Sequence, residues 1–190
     1  MTRWQAFDAR LGRPGPFHVR TDLPDGSKRV AWRVPSGAWG LGEHRIEDLV
    51  YLQRLPMPSP VVITEGEKAA DAVRAAGLAA VATVCGAGTA PGIHVVELFT
   101  GCRVILWPDA DANGRDHMAM VARRLEPIVA TLALVDVPAD APKGWDAADA
   151  TPATIRRLVA TAHDVYLFRP RSAWLQPVVG ELPSVRDTAP

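Results

Sequence analysis

Two short apolar runs constrain this chain more than anything else in it: Val61-Val62-Ile63-Thr64 and Val104-Ile105-Leu106. Neither alternates apolar with polar residues, and the first is rich in β-branched side chains. That is the pattern of strands buried on both faces, as in a parallel sheet. Each run ends in acid and glycine. Glu65-Gly66 follows the first, and Trp107-Pro108-Asp109-Ala110-Asp111-Ala112-Asn113-Gly114 follows the second. In a sheet wound from alternating strands and helices, ligands sit in the crevice at the carboxyl ends of the strands. Carboxylates there suit a divalent cation, because hard cations take oxygen ligands.

The rest of the chain after Pro60 fits that plan. An alanine-rich helix is expected from Glu67 to Ala76, stopped by Gly77, and a strand from Ala79 to Val84. A helix over Gly92–Phe99 precedes the strand Arg103–Trp107. After Gly114, Met118, Val121, Ala122 and Leu125 fall at helical spacing. A strand over Ala130–Val137, a helix over Thr154–Ala162 and a last strand over Val165–Phe168 complete the series. The fold class is α/β, a mainly parallel, doubly wound sheet flanked by helices.

Residues 1–14 show no clear period and read as a loose lead-in. Phe17-His18-Val19-Arg20 and Lys28-Arg29-Val30-Ala31-Trp32-Arg33-Val34 then read as a β-hairpin, with Asp25-Gly26 at the bend. A short amphipathic helix is expected over Ile46–Leu55. Pro56-Met57-Pro58-Ser59-Pro60 is a stiff connector. The expected organisation is a small N-terminal lobe over 1–59, an α/β domain over 60–168, and an irregular tail over 169–190.

Net charge is zero, which argues against a broad basic coat. Residues 1–60, however, hold nine Lys and Arg against six Asp and Glu, while the remainder is acidic. Arg20, Lys28, Arg29 and Arg33, with Trp32 and Trp39 nearby, suit contact with single-stranded nucleic acid, although a small sheet with polar edges has the same pattern. Two cysteines, Cys85 and Cys102, lack metal-ligand spacing and read as buried thiols. No apolar run is long enough for a membrane span, and no signal peptide opens the chain, so the expected location is cytoplasmic.

Three clusters carry the chemistry. Glu65 with Glu67 and Gly66 is the first; Lys68, in the adjoining helical turn, is within reach of a bound phosphate. Glu65 reads equally well as a partner of the helix dipole. The second is Asp109-x-Asp111 with Asn113-Gly114. A calcium loop of this opening needs a Glu at its twelfth position and a preceding helix; here Met120 and a strand stand there. Asp109 as a phosphoryl-accepting nucleophile would leave Glu65 and the later acids unexplained. The third is Lys143-Gly144-Trp145-Asp146-Ala147-Ala148-Asp149, in which Asp146 and Asp149 share a face of a helical turn, or Asp146 is an N-cap. Gly86-Ala87-Gly88 lacks a dinucleotide fingerprint, no phosphate-binding P-loop occurs, and the five histidines are scattered.

In this order the clusters resemble the Toprim domain, shared by bacterial-type primases, topoisomerases and several nucleases. The flanks Glu65-Gly66-Glu67-Lys68-Ala69-Ala70-Asp71 and Lys143-Gly144-Trp145-Asp146-Ala147-Ala148-Asp149 look most like primase-type Toprim proteins of phages, plasmids and other mobile elements. The resemblance implies Mg²⁺ or Mn²⁺ bound by Glu65, Asp109 and Asp111, assisted by Asp146 and Asp149. It implies RNA primer synthesis on a single-stranded DNA template from nucleotides, beside a replicative helicase or other replication protein. The zinc-binding and helicase domains common in full primases are not seen, so a fragment, a subunit or a stand-alone relative is expected. A Toprim nuclease and a non-catalytic nucleic-acid-binding module are the alternatives.

Overall fold

Leu49 and Val50 are the hinge pin of the architecture. They form a two-residue strand, both side chains almost wholly buried, where two sheets meet. The computed structural model describes residues 1–84, 86 and 88–165. The first sheet is antiparallel and contains β1 (Thr2–Asp8), β2 (Arg13–Asp22), β3 (Lys28–Arg33) and β4 (Leu49–Val50), in the order β3-β2-β1-β4. The expected hairpin is β2–β3, with Asp22 opposite Lys28 beside the bend.

Two expectations fail in this lobe. Residues 2–8 form β1, not a loose lead-in. Trp4, Ala6 and Asp8 share one face of it, and the inward Asp8 breaks the apolar alternation. Asp8 is fully buried, with Oδ2 2.7 Å from Nδ1 of His44. The helix expected over Ile46–Leu55 is only a 3₁₀ turn at Ile46–Asp48, followed by β4. Phe7 and Asp8 pair with Val50 and Leu49, and Tyr51 exchanges two backbone hydrogen bonds with Ala82 of the second sheet. Consecutive burial between two sheets favours extended chain over a helix, which would turn one of the two side chains outward.

The second sheet holds β5 (Val61–Thr64), β6 (Ala80–Ala82), β7 (Arg103–Leu106), β8 (Thr131–Leu134) and β9 (His163–Asp164), in the order β6-β5-β7-β8-β9. All pairs are parallel except β8–β9. The helices are α1 (Glu67–Ala75), α2 (Ile93–Glu97), α3 (Ala112–Leu125) and α4 (Pro152–Ala160). Val61 and Ile63 of β5 pack on one face with Val95 of α2, Phe99 just beyond its end, and Met118 and Val121 of α3. Val62 packs on the other with Val73, Ile155 and Leu158 of α1 and α4. Burial of both strand faces is thus observed, and the α/β class with it. The last strand is His163–Asp164, two residues before the expected one; residues 166–168 of that expectation, the tail from 169, Cys85 and Ala87 lie outside the described residues. Cys102 is a buried thiol. Among the described residues no helix is long and apolar enough to cross a membrane.

α1 ties the sheets together. Asp71 accepts hydrogen bonds from Trp4 Nε1 at 2.8 Å, Tyr51 Oη at 2.9 Å and Arg74 Nη1 at 3.2 Å. Asp71→Ala removes charge-assisted bonds to three partners and is expected to cost about 2 kcal/mol, read as a lower urea midpoint. An unchanged midpoint would show that the hub bears no load.

Candidate functional site

Strand order decides where the acids meet. β5 lies between β6 and β7, so successive crossovers leave it on opposite sides and a crevice opens at its carboxyl end. Ile63 pairs with Leu106, and Trp107 N–H donates to Ile63 O at 2.9 Å. Glu65 and Asp109, forty-four positions apart in sequence, therefore emerge side by side. Glu65 Oε1 accepts from the Asp109 backbone N–H at 3.4 Å.

Gly114 permits this approach. A Cβ built there would stand 2.6 Å from Asp109 O, 2.7 Å from Glu65 Oε1 and 2.8 Å from Asp109 N. Two of those neighbours are backbone and cannot swing aside. Gly114 also donates its N–H to Asp111 Oδ1 at 2.8 Å, making Asp111 the N-cap of α3.

The third cluster arrives through backbone pairing. Ala110 N–H donates to Trp145 O at 2.9 Å, and Gly144 N–H to Ala110 O at 3.4 Å. Asp146 follows directly and caps a 3₁₀ turn, Ala147–Asp149, accepting from Ala148 N–H at 2.5 Å. Asp149 Oδ2 accepts in turn from Asp146 N–H at 3.1 Å, which completes a capping box. The N-cap reading of Asp146 is thus correct, and Asp149 is turned toward the backbone of that turn. Glu67 departs from the first cluster: its Oε1 lies 2.5 Å from His18 Nδ1.

Electrostatics links the acids. Burial, then the charges of Glu65, Asp146 and Asp111, push the Asp109 carboxyl up to about 7. Glu65 is raised by burial and by Asp111 and Asp146, against the Asp109 N–H that lowers it. Asp146 is raised by burial and by Asp149, while Lys68 and Lys28 pull the other way. Among the described residues no three acidic, His or Cys side chains stand close enough together to enclose a cation. The chemistry of the donors is nonetheless that of a hard-cation site: all are oxygens, and their charges are mutually unfavourable.

Glu65, Asp109, Asp146 and Asp149 line a cavity of about 530 Å³; Asp111, capping α3, is not among its lining residues. Lys68, Gly66, Glu67 and Gly144 border it beside them. The N-terminal sheet lines the same cavity with Trp4, His18, Arg20, Lys28 and Trp32, of which Lys28 acts on the charges of Asp109 and Asp146. Of the expected basic and aromatic residues, Arg33 and Trp39 instead pair with each other outside the cavity, guanidinium carbon 5.4 Å from the ring. The sequence reading missed Trp4 and His18: the first lay in the supposed lead-in, and nothing but strand alternation marked the second.

Asp109 has a pH consequence. Its proton is held more tightly folded than unfolded, so metal-free stability falls as pH rises from about 4 to about 7 and stays lower above. Asp109→Asn is expected to flatten that fall and to raise the metal-free melting temperature at pH 8. A wild-type melting curve independent of pH over that window would contradict the site's electrostatics. Gly114→Ala is expected to lower the melting temperature by several degrees, through backbone overlap at Asp109.

By sequence, the chain matches no family model and no curated protein. By structure it is similar to primase domains. A chain of the bacteriophage T7 assembly of lagging-strand DNA polymerase with two gp4 primase domains, an RNA/DNA hybrid and dTTP aligns with TM-score 0.54 and 16% identity, over 86% of this chain and 78% of that one. The RNA polymerase domain of Mycobacterium tuberculosis primase DnaG aligns with TM-score 0.55 and 21% identity, over 85% and 55%. A DnaG primase catalytic domain bound to single-stranded DNA gives 0.59 and 20%, over 85% and 51%. The chain thus spans about half the length of the DnaG domains it aligns with. At these identities the likeness is one of fold: the chain has the α/β architecture of primase catalytic domains.

Proposed function

We propose that the chain is a primase-type, metal-dependent nucleotidyltransferase of the Toprim class, making RNA primers on single-stranded DNA. The observation that carries this reading is the cavity itself, lined both by the acids Glu65, Asp109 and Asp146 and by Arg20, Lys28 and Trp32 of the N-terminal sheet. The acids suit a cation, the other three a polyanion with bases to stack. The fold shared with primase domains supports the choice of chemistry.

Glu65, Asp109 and Asp111 would hold Mg²⁺ or Mn²⁺, with the oxygen of Asp146 that does not cap its turn beside them. When bound, the cation neutralises nucleotide phosphates and acidifies an attacking hydroxyl. Asp149, engaged in the capping box, holds Asp146 in place. Lys68, on the first turn of α1, and Lys28, on β3, offer ammonium groups to phosphate oxygens. The β2–β3 hairpin guides the template strand, and a replicative helicase or other replication protein is the expected partner.

Asp109→Asn is expected to lower Mg²⁺- or Mn²⁺-dependent primer synthesis about 100-fold or more, with circular dichroism unchanged. The assay offers labelled single-stranded DNA, nucleotides and metal, and reads product length. Growing products support the proposal. Shortened template would mean that the metal activates water and that the chain is a nuclease. Full synthesis by Asp109→Asn would refute the site.

A further inference from the structure

Trp4, His18 and Trp32 stand in one cross-strand row, with Trp4 opposite His18 and His18 opposite Trp32. The His18 and Trp32 rings are stacked, centroids 4.4 Å apart and planes inclined by 21°. The next row toward the bend includes Arg20, and beyond it Lys28 faces Asp22. His18, Trp32, Arg20 and Lys28 all border the cavity that holds Glu65 and Asp109. Glu67 is only 5% exposed, and its Oε1 contact with His18 Nδ1 commits it to the N-terminal sheet. A carboxylate on one ring nitrogen fixes the orientation of an imidazole. The imidazole in turn backs the indole stacked on it.

We propose that Glu67 is a positioning residue, which through His18 holds Trp32 as a stacking surface for a nucleobase, with Lys28 and Arg20 serving the attached phosphates. A half-buried indole at a cavity edge stacks on any base, and flanking cations add the sequence-independent part of the affinity. The choice of a nucleotide ligand rests on the nucleotidyl-transfer reading; the geometry of the Glu67–His18–Trp32 relay does not. The base belongs either to the single strand or to a free nucleoside triphosphate, and the test separates them.

Binding of labelled oligo(dT) and of a fluorescent ATP analogue is measured by anisotropy in EDTA, with no cation among the acids. Trp32→Ala and Glu67→Ala are each expected to weaken at least one ligand about tenfold. Glu67→Gln, which keeps an acceptor oxygen for His18, is expected to match the wild type. Loss for oligo(dT) alone assigns the surface to the strand, and loss for the analogue alone assigns it to the incoming nucleotide. Unchanged binding of both ligands by Trp32→Ala overturns the proposal, as does Glu67→Gln binding as weakly as Glu67→Ala. A second measurement, Mn²⁺ affinity by calorimetry, separates a ligand from a positioning residue. A fall in Glu67→Ala as large as in Asp109→Asn would make Glu67 a metal ligand and also overturn the proposal. Should Glu67→Ala fail to fold, Trp32→Ala on the outer strand carries the test. Wild-type protein that binds no Mn²⁺ but shows the expected base-binding pattern would sink the metal-dependent reading and leave this one standing.

Discussion

The parallel pairing of β5 with β7 is the constraint on which the site depends. Their register sets Ile63 beside Leu106, and the next residues of each strand have nowhere to go but into the same crevice. The strands are held there by burial on both faces, Val61 and Ile63 against α2 and α3, Val62 against α1 and α4. The apolar core thereby fixes the separation of two carboxylates that repel each other. Nothing local to Glu65 or Asp109 would bring them together. Gly114 then sets how tightly α3 closes over the pair, since any side chain there would strike the Asp109 backbone.

The N-terminal sheet is tied to the acids by α1. Its first turn gives Glu67 to His18, and its next gives Asp71 to Trp4 and Tyr51. Positions 67 and 71 are one helical turn apart and so lie on one face. Tyr51 adds backbone hydrogen bonds to Ala82, continuing β4 toward the second sheet. The two sheets thus meet through directional polar contacts as well as through Leu49 and Val50. Such contacts fix orientation where an apolar seam would permit sliding, and the distance from Lys28 and Arg20 to the carboxylates is set accordingly.

Legibility in the sequence followed how locally each feature is determined. The strands β5 and β7 were readable because a run without polar alternation has few other uses, and the hairpin because Asp25-Gly26 marks its bend. β1 was not, since its inward position 8 is an aspartate whose partner, His44, is thirty-six residues away. β4 was misread because Ile46, Leu49, Val50 and Leu52 have helical spacing, while their environment is the seam between two sheets. Of the candidate site, placement at strand ends singles out Glu65, Asp109 and Asp111, and the Toprim resemblance implies their grouping with Asp146. What position does not reveal is direction: Glu67 stands two residues from Glu65, yet it serves the N-terminal sheet.

The acidic cluster also dissolves an apparent choice between structural and chemical roles. Asp111 caps α3 and Asp146 caps its 3₁₀ turn, each through one oxygen. A carboxylate has two, and about four lone-pair positions. The capping bond removes rotamer freedom and aims the remaining oxygen. That ordering is otherwise paid for when a ligand binds. The bonds satisfy helix-end N–H groups at the same time, so the fold gains from an arrangement whose charges oppose it. Glu65 and Asp109 have less such help, and Asp109 is where the unfavourable charge accumulates. The cost of holding these acids together is therefore concentrated at Asp109, where burial and the charges of Glu65, Asp146 and Asp111 act on a single side chain.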